Sequence, residues 1–402
     1  MTSRERVEAV LRHEIPDQIP NGWGGCETTG MHINVYALLW DILNLPREPI
    51  RIDTFMLNAV VPPPALRAMG GDILLVASPN MCRSPLYQNS GWHTFELWDH
   101  EAALSAGEAI LPSEDGGYVW YSNGKPFTHC PPGGRYFDFF QTHDLFDERE
   151  IPKPSDLSYR RQTSDERLRA LERIARDLYD GTDFSLNCGE SIADLQLMPG
   201  GMLNWYDMML NDPDTAGEYL ERAIDAAIED LTVVAQAVGN ICSMLSIAQD
   251  LGDRQGITMG PDLFRRIYLP HYRRLFEKWH QITDMKINLH SCGSVAAVLG
   301  DLIDCGLDII NPVQISCAGM EPAALKARFG RQIVFYGGAY DAVLTPPHTD
   351  PETVYAQVRQ NIETLGANGG YLFAGVHNTP ENTPRTHIES ILRAYQDSRN
   401  YQ

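Results

Sequence analysis

The sequence predicts an α/β fold, a (β/α)8 barrel carrying a β-rich insertion in its N-terminal half. Three observations predict it. From about residue 184 onward, strand-like apolar runs alternate with helical stretches, the order that gives parallel strands joined by right-handed crossovers. Counted with the N-terminal strands, about eight such units fit the chain, the number that closes a barrel. The residues that end these strands are small, polar or able to bind metal, as at the C-terminal mouth of such a barrel. The 402 residues are 43% hydrophobic, enough for a large core. They fit one barrel domain over residues 1–402, with 90–155 as an aromatic-rich insertion or excursion. A doubly wound open sheet is the alternative topology.

The elements follow in chain order. Residues 2–13 are charged and helical in pattern, and Glu14-Ile15-Pro16-Asp17-Gln18-Ile19-Pro20 leads into a first strand. Gly22-Trp23-Gly24-Gly25-Cys26-Glu27-Thr28-Thr29-Gly30 is a glycine-rich connection without a phosphate-cradle ending. Residues 72–76 read as a short buried strand. Residues 90–155 lose helical periodicity and gain aromatics, among them Trp92, Trp98, Tyr118 and Trp120, and read as β-rich, a lid or an oligomer contact. Ser164-Asp165-Glu166 starts a helix over 164–180. Strands are then expected near 184–188, 243–249, 285–290, 307–311, 332–336 and 371–376. Helices are expected at about 213–238, 261–281, 295–304, 321–328 and 351–366.

Composition narrows the functional class. Lys+Arg number 32 against 53 Asp+Glu, a formal net charge of -21, which repels phosphate backbones and anionic lipid surfaces. Nucleic acid and membrane partners are not expected. The N-terminus has no apolar signal core, and no apolar run reaches the roughly 20 residues a bilayer requires, so a cytoplasmic protein is expected. The eight cysteines are scattered, with no Cys-x-x-Cys. They read as buried small apolar residues and not as a disulfide framework.

The chemistry concentrates at strand ends. Lys286-Ile287-Asn288-Leu289-His290-Ser291-Cys292-Gly293 ends a strand in His-x-Cys-Gly. Side chains two apart on a strand share a face, and imidazole with thiolate is a pair zinc favours. A second run, Gly370 to Val376, ends in His377-Asn378. If the strand ends converge, His290, Cys292 and His377 supply three ligands and leave a position open, the pattern of a catalytic zinc. Cys188, and less readily Cys317, could replace His377. Asp250 or Glu190 could accept the free imidazole N–H, bind substrate or act as acid and base. Each could equally cap the helix that follows it. Trp23, Asn187, Asn311, Gln314, Tyr336 and Asn378 are the candidate substrate contacts, although amides in such loops often bond only backbone. A lone His-x-Cys pair is equally compatible with a hydrogen-bonded histidine beside a buried thiol.

At this point the chain resembles the uroporphyrinogen decarboxylase superfamily, and within it the zinc-dependent, corrinoid-linked methyltransferases. The resemblance covers nearly the whole chain. It rests on Pro16-Asp17-Gln18-Ile19-Pro20, Asp250-Leu251-Gly252, Leu289-His290-Ser291-Cys292-Gly293-Ser294, Asp308-Ile309-Ile310-Asn311-Pro312-Val313-Gln314, Tyr336-Gly337-Gly338, and Gly369-Gly370-Tyr371-Leu372-Phe373 before His377-Asn378. It implies a TIM barrel with its site at the C-terminal strand ends. It also implies zinc held by a His-x-Cys pair and a distant Cys. The pair carries over to His290 and Cys292, whereas His377 stands where that branch carries Cys. Gln18 replaces a usual Arg, and Ala339-Tyr340-Asp341 replaces a common Val-Asp-Thr, which points to a different substrate.

The resemblance implies a methyltransferase moving a methyl group between a corrinoid and a small methylated substrate (ether, amine or thioether) or a thiol. No Asp-x-His-x-x-Gly corrinoid motif is present, so the corrinoid is expected on a partner protein. A homodimer through 90–155 is a further expectation. Two rivals stand beside it: a metal-free decarboxylase or lyase with Asp250 as acid and base, and a non-enzymatic barrel that binds a small ligand or a corrinoid protein. The decarboxylase proper clamps porphyrin carboxylates with N-terminal arginines, and Asn21-Gly22-Trp23-Gly24-Gly25-Cys26-Glu27 offers none.

Overall fold

The computed structural model describes residues 1–53, 56–76, 91–139, 153–156, 163–190 and 199–401. Among them, seven parallel strands form one curled sheet: Ile73–Leu75, Ser185–Glu190, Met244–Ala248, Lys286–His290, Ile309–Asn311, Val334–Tyr336 and Tyr371–Leu372, each paired with the next in the chain. The segment 20–22 closes the gap between the first and last. Gly22 N–H donates to Phe373 O at 2.8 Å, Phe373 N–H to Pro20 O at 2.8 Å, and Asp72 N–H to Asn21 O at 2.7 Å. The sheet therefore has no open side, and the doubly wound alternative is excluded.

The first helix, Ser3–Leu11, sits against the N-terminal end of this barrel. Its Arg6 reaches Asp72 at 2.6 Å and Asp17 at 2.7 Å. Asp72 also accepts the Asn21 N–H at 2.8 Å, so one ion pair joins the helix to the closing segment. Asp17, in the Pro16–Pro20 block, is held by that guanidinium at about 2, well below the ordinary carboxyl value.

The outer helices follow their sequence signals. Asp165–Gly181 is capped by Ser164, whose Oγ accepts the Arg167 N–H, and it buries Leu171, Ile174 and Ala175 on one side. Pro213–Val238 starts at Pro213 after the Asp212 cap and buries an apolar stripe from Ala216 to Val238. The helix expected at 261–281 is instead two, Pro261–Ile267 and Leu269–Ile282. Pro270 is the cause: it lacks an N–H and its ring collides with the carbonyl four residues back. The strand expected over 371–376 is only Tyr371–Leu372, with Phe373 still bridged to Asn21, because the chain then leaves the sheet to build the loop that carries His377.

The excursion is β-rich over its described residues; 90 and 140–152 lie outside them. Trp92–Leu97 pairs with His100–Ser105, which extends a pairing with Ile50–Arg51. Glu108–Pro112, Tyr118–Ser122, Lys125–Cys130 and Asp138–Phe139 form an antiparallel meander. Asn123-Gly124 makes one of its hairpins, both residues at positive φ, the conformation that matches strand twist in a two-residue turn. No helix among the described residues is long and apolar enough to cross a membrane.

Candidate metal centre and its cavity

His290 is the last residue of its strand and is 5% exposed. Its Nδ1 lies 2.7 Å from Asn311 Oδ1 on the neighbouring strand. The Asn311 amide is oriented by its own Nδ2, which donates to Tyr336 O at 3.3 Å, while Oδ1 also accepts the Thr28 hydroxyl at 2.8 Å. An oxygen at Asn311 fixes the imidazole proton on Nδ1 and leaves the Nε2 lone pair free. That Nε2 is 3.4 Å from Cys292 Sγ.

His377 arrives on the loop after the last strand. Its ring centroid lies 5.5 Å from that of His290, the planes nearly perpendicular. Ligand atoms of His290, Cys292 and His377 all fall within 4.8 Å of one another. Tetrahedral zinc with Zn–N near 2.0–2.1 Å and Zn–S near 2.3 Å needs ligand-to-ligand edges of roughly 3.3–3.6 Å. The His290–Cys292 edge already has that length, and a shift of at most about 1.5 Å brings in His377. Two imidazoles and one thiol are a donor set that fits zinc.

Burial, opposed in part by the Asn311 hydrogen bond, pushes the His290 pKa below its ordinary value. Burial, then the charge of His290, lowers that of His377 to about 4. Burial, then the charge of Asp250, raises the Cys292 thiol to about 12. Both imidazoles are thus neutral near pH 7, ready to bind a metal, whereas the thiol has to lose a proton.

Gly293 explains the end of the motif. Its φ is +85°, and a Cβ there would stand 2.3 Å from the Gly252 backbone. The Asp250–Gly252 loop packs against Cys292 through this contact. Asp250 Oδ1 accepts the Cys292 N–H at 2.9 Å, and Ser291 Oγ accepts the Leu251 N–H at 3.0 Å. Asp250 does not take the free imidazole N–H, as the sequence allowed; Asn311 takes it. Asp250 Oδ1 instead lies 3.9 Å from His290 Nε2, on the ligand side, with the side chain half exposed.

A cavity of about 340 Å³ opens beside Cys292 and His377. Of the expected substrate contacts, Gln314 and Asn378 line it. Gln314 Oε1 accepts the Gly293 N–H at 2.6 Å, and Asn378 Oδ1 accepts the Gly30 N–H at 2.7 Å. The others do not line it. Trp23 is 2% exposed and stands behind the wall, its indole N–H donating to Thr379 Oγ1 at 3.2 Å. Asn187 is sealed in the barrel interior with Ser246 and the Gly25 carbonyl. Tyr336 is also fully buried, its hydroxyl donating to Gly22 O at 2.7 Å. Asn311 serves His290. Asn311 and Tyr336 end their strands and Asn187 lies inside one, but the closed barrel is filled with side chains below its mouth, so a place near a strand end alone does not give access. Cys188 is buried against Cys242 and is not in the donor group; nor is Cys317. Glu190 closes its strand, and its side chain, like Cys82, lies outside the described residues.

The cavity also has walls that strand-end reading missed: His32, Met56, Asn58, Tyr136, Tyr340 and Asp341. His32 Nδ1 accepts the Asn34 N–H and caps the helix Ile33–Ile42, while Nε2 donates to Arg135 O at 2.9 Å. That bond brings in the excursion, whose Tyr136 packs edge-on against His32 and accepts the Glu381 N–H at 2.9 Å. His32 follows the glycine-rich connection directly, a signal that was available. Tyr136 has no local signal, because only the docking of the excursion brings it to the mouth.

No curated protein matches the sequence. Among solved structures, a methyltransferase from Methanosarcina mazei has the same fold end to end, with a TM-score of 0.54, 14% identity and 99% of each chain covered. Xylanase B from Clostridium stercorarium F9 overlaps at a TM-score of 0.35, 9% identity, over 60% of this chain and 86% of its own. The 7,8-dihydropteroate synthase from Vibrio fischeri ES114 overlaps at 0.27 and 18% identity, over 47% and 61%. The family model for uroporphyrinogen decarboxylase (URO-D) matches residues 147–398. That span takes in the His-x-Cys strand, Asp250, Asn311 and His377, and the chain belongs to the uroporphyrinogen decarboxylase (URO-D) family.

Proposed function

We propose that the protein is a zinc-dependent methyltransferase that moves a methyl group between a corrinoid and a small methylated substrate (methyl ether, amine or thioether) or a thiol. The observation that carries this reading is the donor set: His290, Cys292 and His377 within 4.8 Å, at the mouth of a URO-D family barrel and beside a cavity. The end-to-end likeness in fold to a protein described as a methyltransferase supports it.

Zinc held by these three residues would supply Lewis acidity at the heteroatom of a methyl donor, or lower the pKa of an acceptor thiol. The other roles belong to the chain. Asn311 keeps the His290 proton on Nδ1. Asp250, half exposed beside Cys292, is the candidate acid or base in this reading; Glu190 is the second candidate on sequence grounds. Gln314 and Asn378 offer hydrogen bonds to a bound substrate. The corrinoid arrives on a separate protein.

The cavity argues against the decarboxylase reading. No lysine or arginine is among its described lining residues, and a polycarboxylate substrate needs such a clamp. The test is metal analysis together with methyl transfer. Purified protein is expected to hold stoichiometric zinc and to methylate cob(I)alamin, or demethylate methylcobalamin, against a panel of methoxylated aromatics, methylamines, thioethers and thiols. Protein that takes up no zinc and transfers no methyl group overturns the proposal.

A further inference from the structure

We propose that the cavity selects a cationic, ammonium-bearing substrate, and that Asp341 is the residue that determines this choice. The inference rests on the methyltransferase reading for the methyl group the substrate carries, and on the cavity for its charge.

Asp341 belongs to the Ala339-Tyr340-Asp341 segment, where the sequence departs from the pattern of the proteins it resembles. The segment runs alongside the loop that carries His377. Ala339 N–H donates to Ala374 O at 2.9 Å, and Val376 N–H to Tyr340 O at 2.8 Å. Asp341 lines the same cavity as His377 and Cys292 and is only 3% exposed. Its Oδ1 is used locally, accepting the Val343 N–H at 2.8 Å. Its Oδ2 is buried and has no hydrogen-bond partner among the described residues.

A carboxylate oxygen taken from water and left without a donor is costly, and a fold keeps one where something else supplies the partner. No described residue supplies it here. The described lining contains no lysine or arginine. A divalent metal at the centre would be balanced by the Cys292 thiolate and Asp250, so the Asp341 charge stays uncompensated. The remaining walls suit the same ligand. Tyr136, Tyr340 and His32 are among the residues lining the cavity, and aromatic rings attract ammonium groups. An anionic substrate would meet the Asp341 carboxyl group with no lysine or arginine among the described lining residues.

The test uses three probes of similar size and different charge: tetramethylammonium, tert-butanol and pivalate. Calorimetric titration of the zinc-loaded protein is expected to rank tetramethylammonium roughly tenfold or more tighter than tert-butanol, a factor typical of a desolvated ionic contact. Pivalate is expected to bind weakest. Asp341→Asn keeps an oxygen for the Val343 N–H, so zinc content and the unfolding midpoint should hold while the preference for the cation collapses. Equal binding of the three probes, tightest binding of pivalate, or an unchanged preference in Asp341→Asn overturns the proposal. The ranking by the unmutated protein decides the question even if the variant folds poorly. Methyl transfer without a cation preference sinks this inference and leaves the enzymatic reading standing. A cation preference without transfer from any donor does the reverse.

Discussion

Asn311 Oδ1 lies 2.7 Å from His290 Nδ1, and this one contact decides which imidazole nitrogen faces Cys292. The acceptor pins the proton on the far side of the ring. Removing it in Asn311→Ala frees the ring to turn and to change tautomer. Zinc affinity is expected to fall about 10–100-fold, measured by competition with a chromophoric chelator. Asn311→Asp keeps an acceptor and should stay near the parent value. An alanine variant that binds zinc as tightly as the parent would remove Asn311 from the site.

Cys292→Ser and His377→Ala each delete one donor from a three-residue set. Both are expected to lose stoichiometric zinc in elemental analysis while far-UV circular dichroism holds. His377→Cys should bind zinc, because thiolate and imidazole are interchangeable in kind as ligands. Full zinc retention in His377→Ala would show that the distant ligand is another group.

Zinc uptake should release a proton, and Cys292 is its source. The thiol is raised to about 12 and must be deprotonated to bind, whereas the histidines are already neutral. Titration at pH 7 in buffers of different ionisation enthalpy should give about one proton per zinc. The histidine has a second consequence in the metal-free protein. The folded pKa of His377, about 4, lies below its unfolded value of about 6.5, so the unfolded state takes up the proton first. Its contribution to stability is present above about 6.5 and is lost progressively as pH falls toward 4. His377→Ala should flatten that part of the stability profile, read by urea unfolding.

Arg6 joins the first helix to Asp72, whose side chain is 2% exposed. Arg6→Met would leave that carboxylate buried and unpaired, at an expected cost of about 3–5 kcal/mol in urea unfolding. The double variant Arg6→Met, Asp72→Asn should recover much of the loss. Zinc stoichiometry should not change, because this ion pair lies at the opposite end of the barrel.

Gly293→Ala places a methyl group 2.3 Å from the Gly252 backbone at φ +85°. The Asp250–Gly252 loop and Cys292 cannot both stay where they are. The variant should be less stable and should bind zinc more weakly. Gly256→Ala in the same region meets nothing within 4 Å and is the matched control. Equal behaviour of the two would mean that the close approach is not needed.

The sequence located the parallel strands because their apolar runs are short, buried and separated by well-signalled helices. It misjudged the helix broken at Pro270, where amphipathic periodicity continues across the break and hides it. It brought out His290, Cys292 and His377 because metal-binding side chains at strand ends stand out by chemistry and spacing. It also took Trp23, Asn187 and Tyr336 for cavity residues. Tyr336 ends its strand as expected, whereas Asn187 lies inside one, and the packed interior buries all three.

What the sequence determined by itself was the order of strands and helices, the charge of the surface and the chemical character of the strand ends, since these depend on local pattern and composition. Tertiary structure decided the rest. Closure through residues 20–22 brings His377 to within a few ångströms of a strand far away in the chain. Asn311, and not Asp250, holds the imidazole of His290, because the neighbouring strand sets its side chain against Nδ1. Tyr136 reaches the cavity only through the docking of the excursion, and Asp341 becomes a buried acceptor without a partner among the described residues only when its loop folds against that of His377. Distances between residues remote in sequence are set by packing, and local pattern carries no information about them.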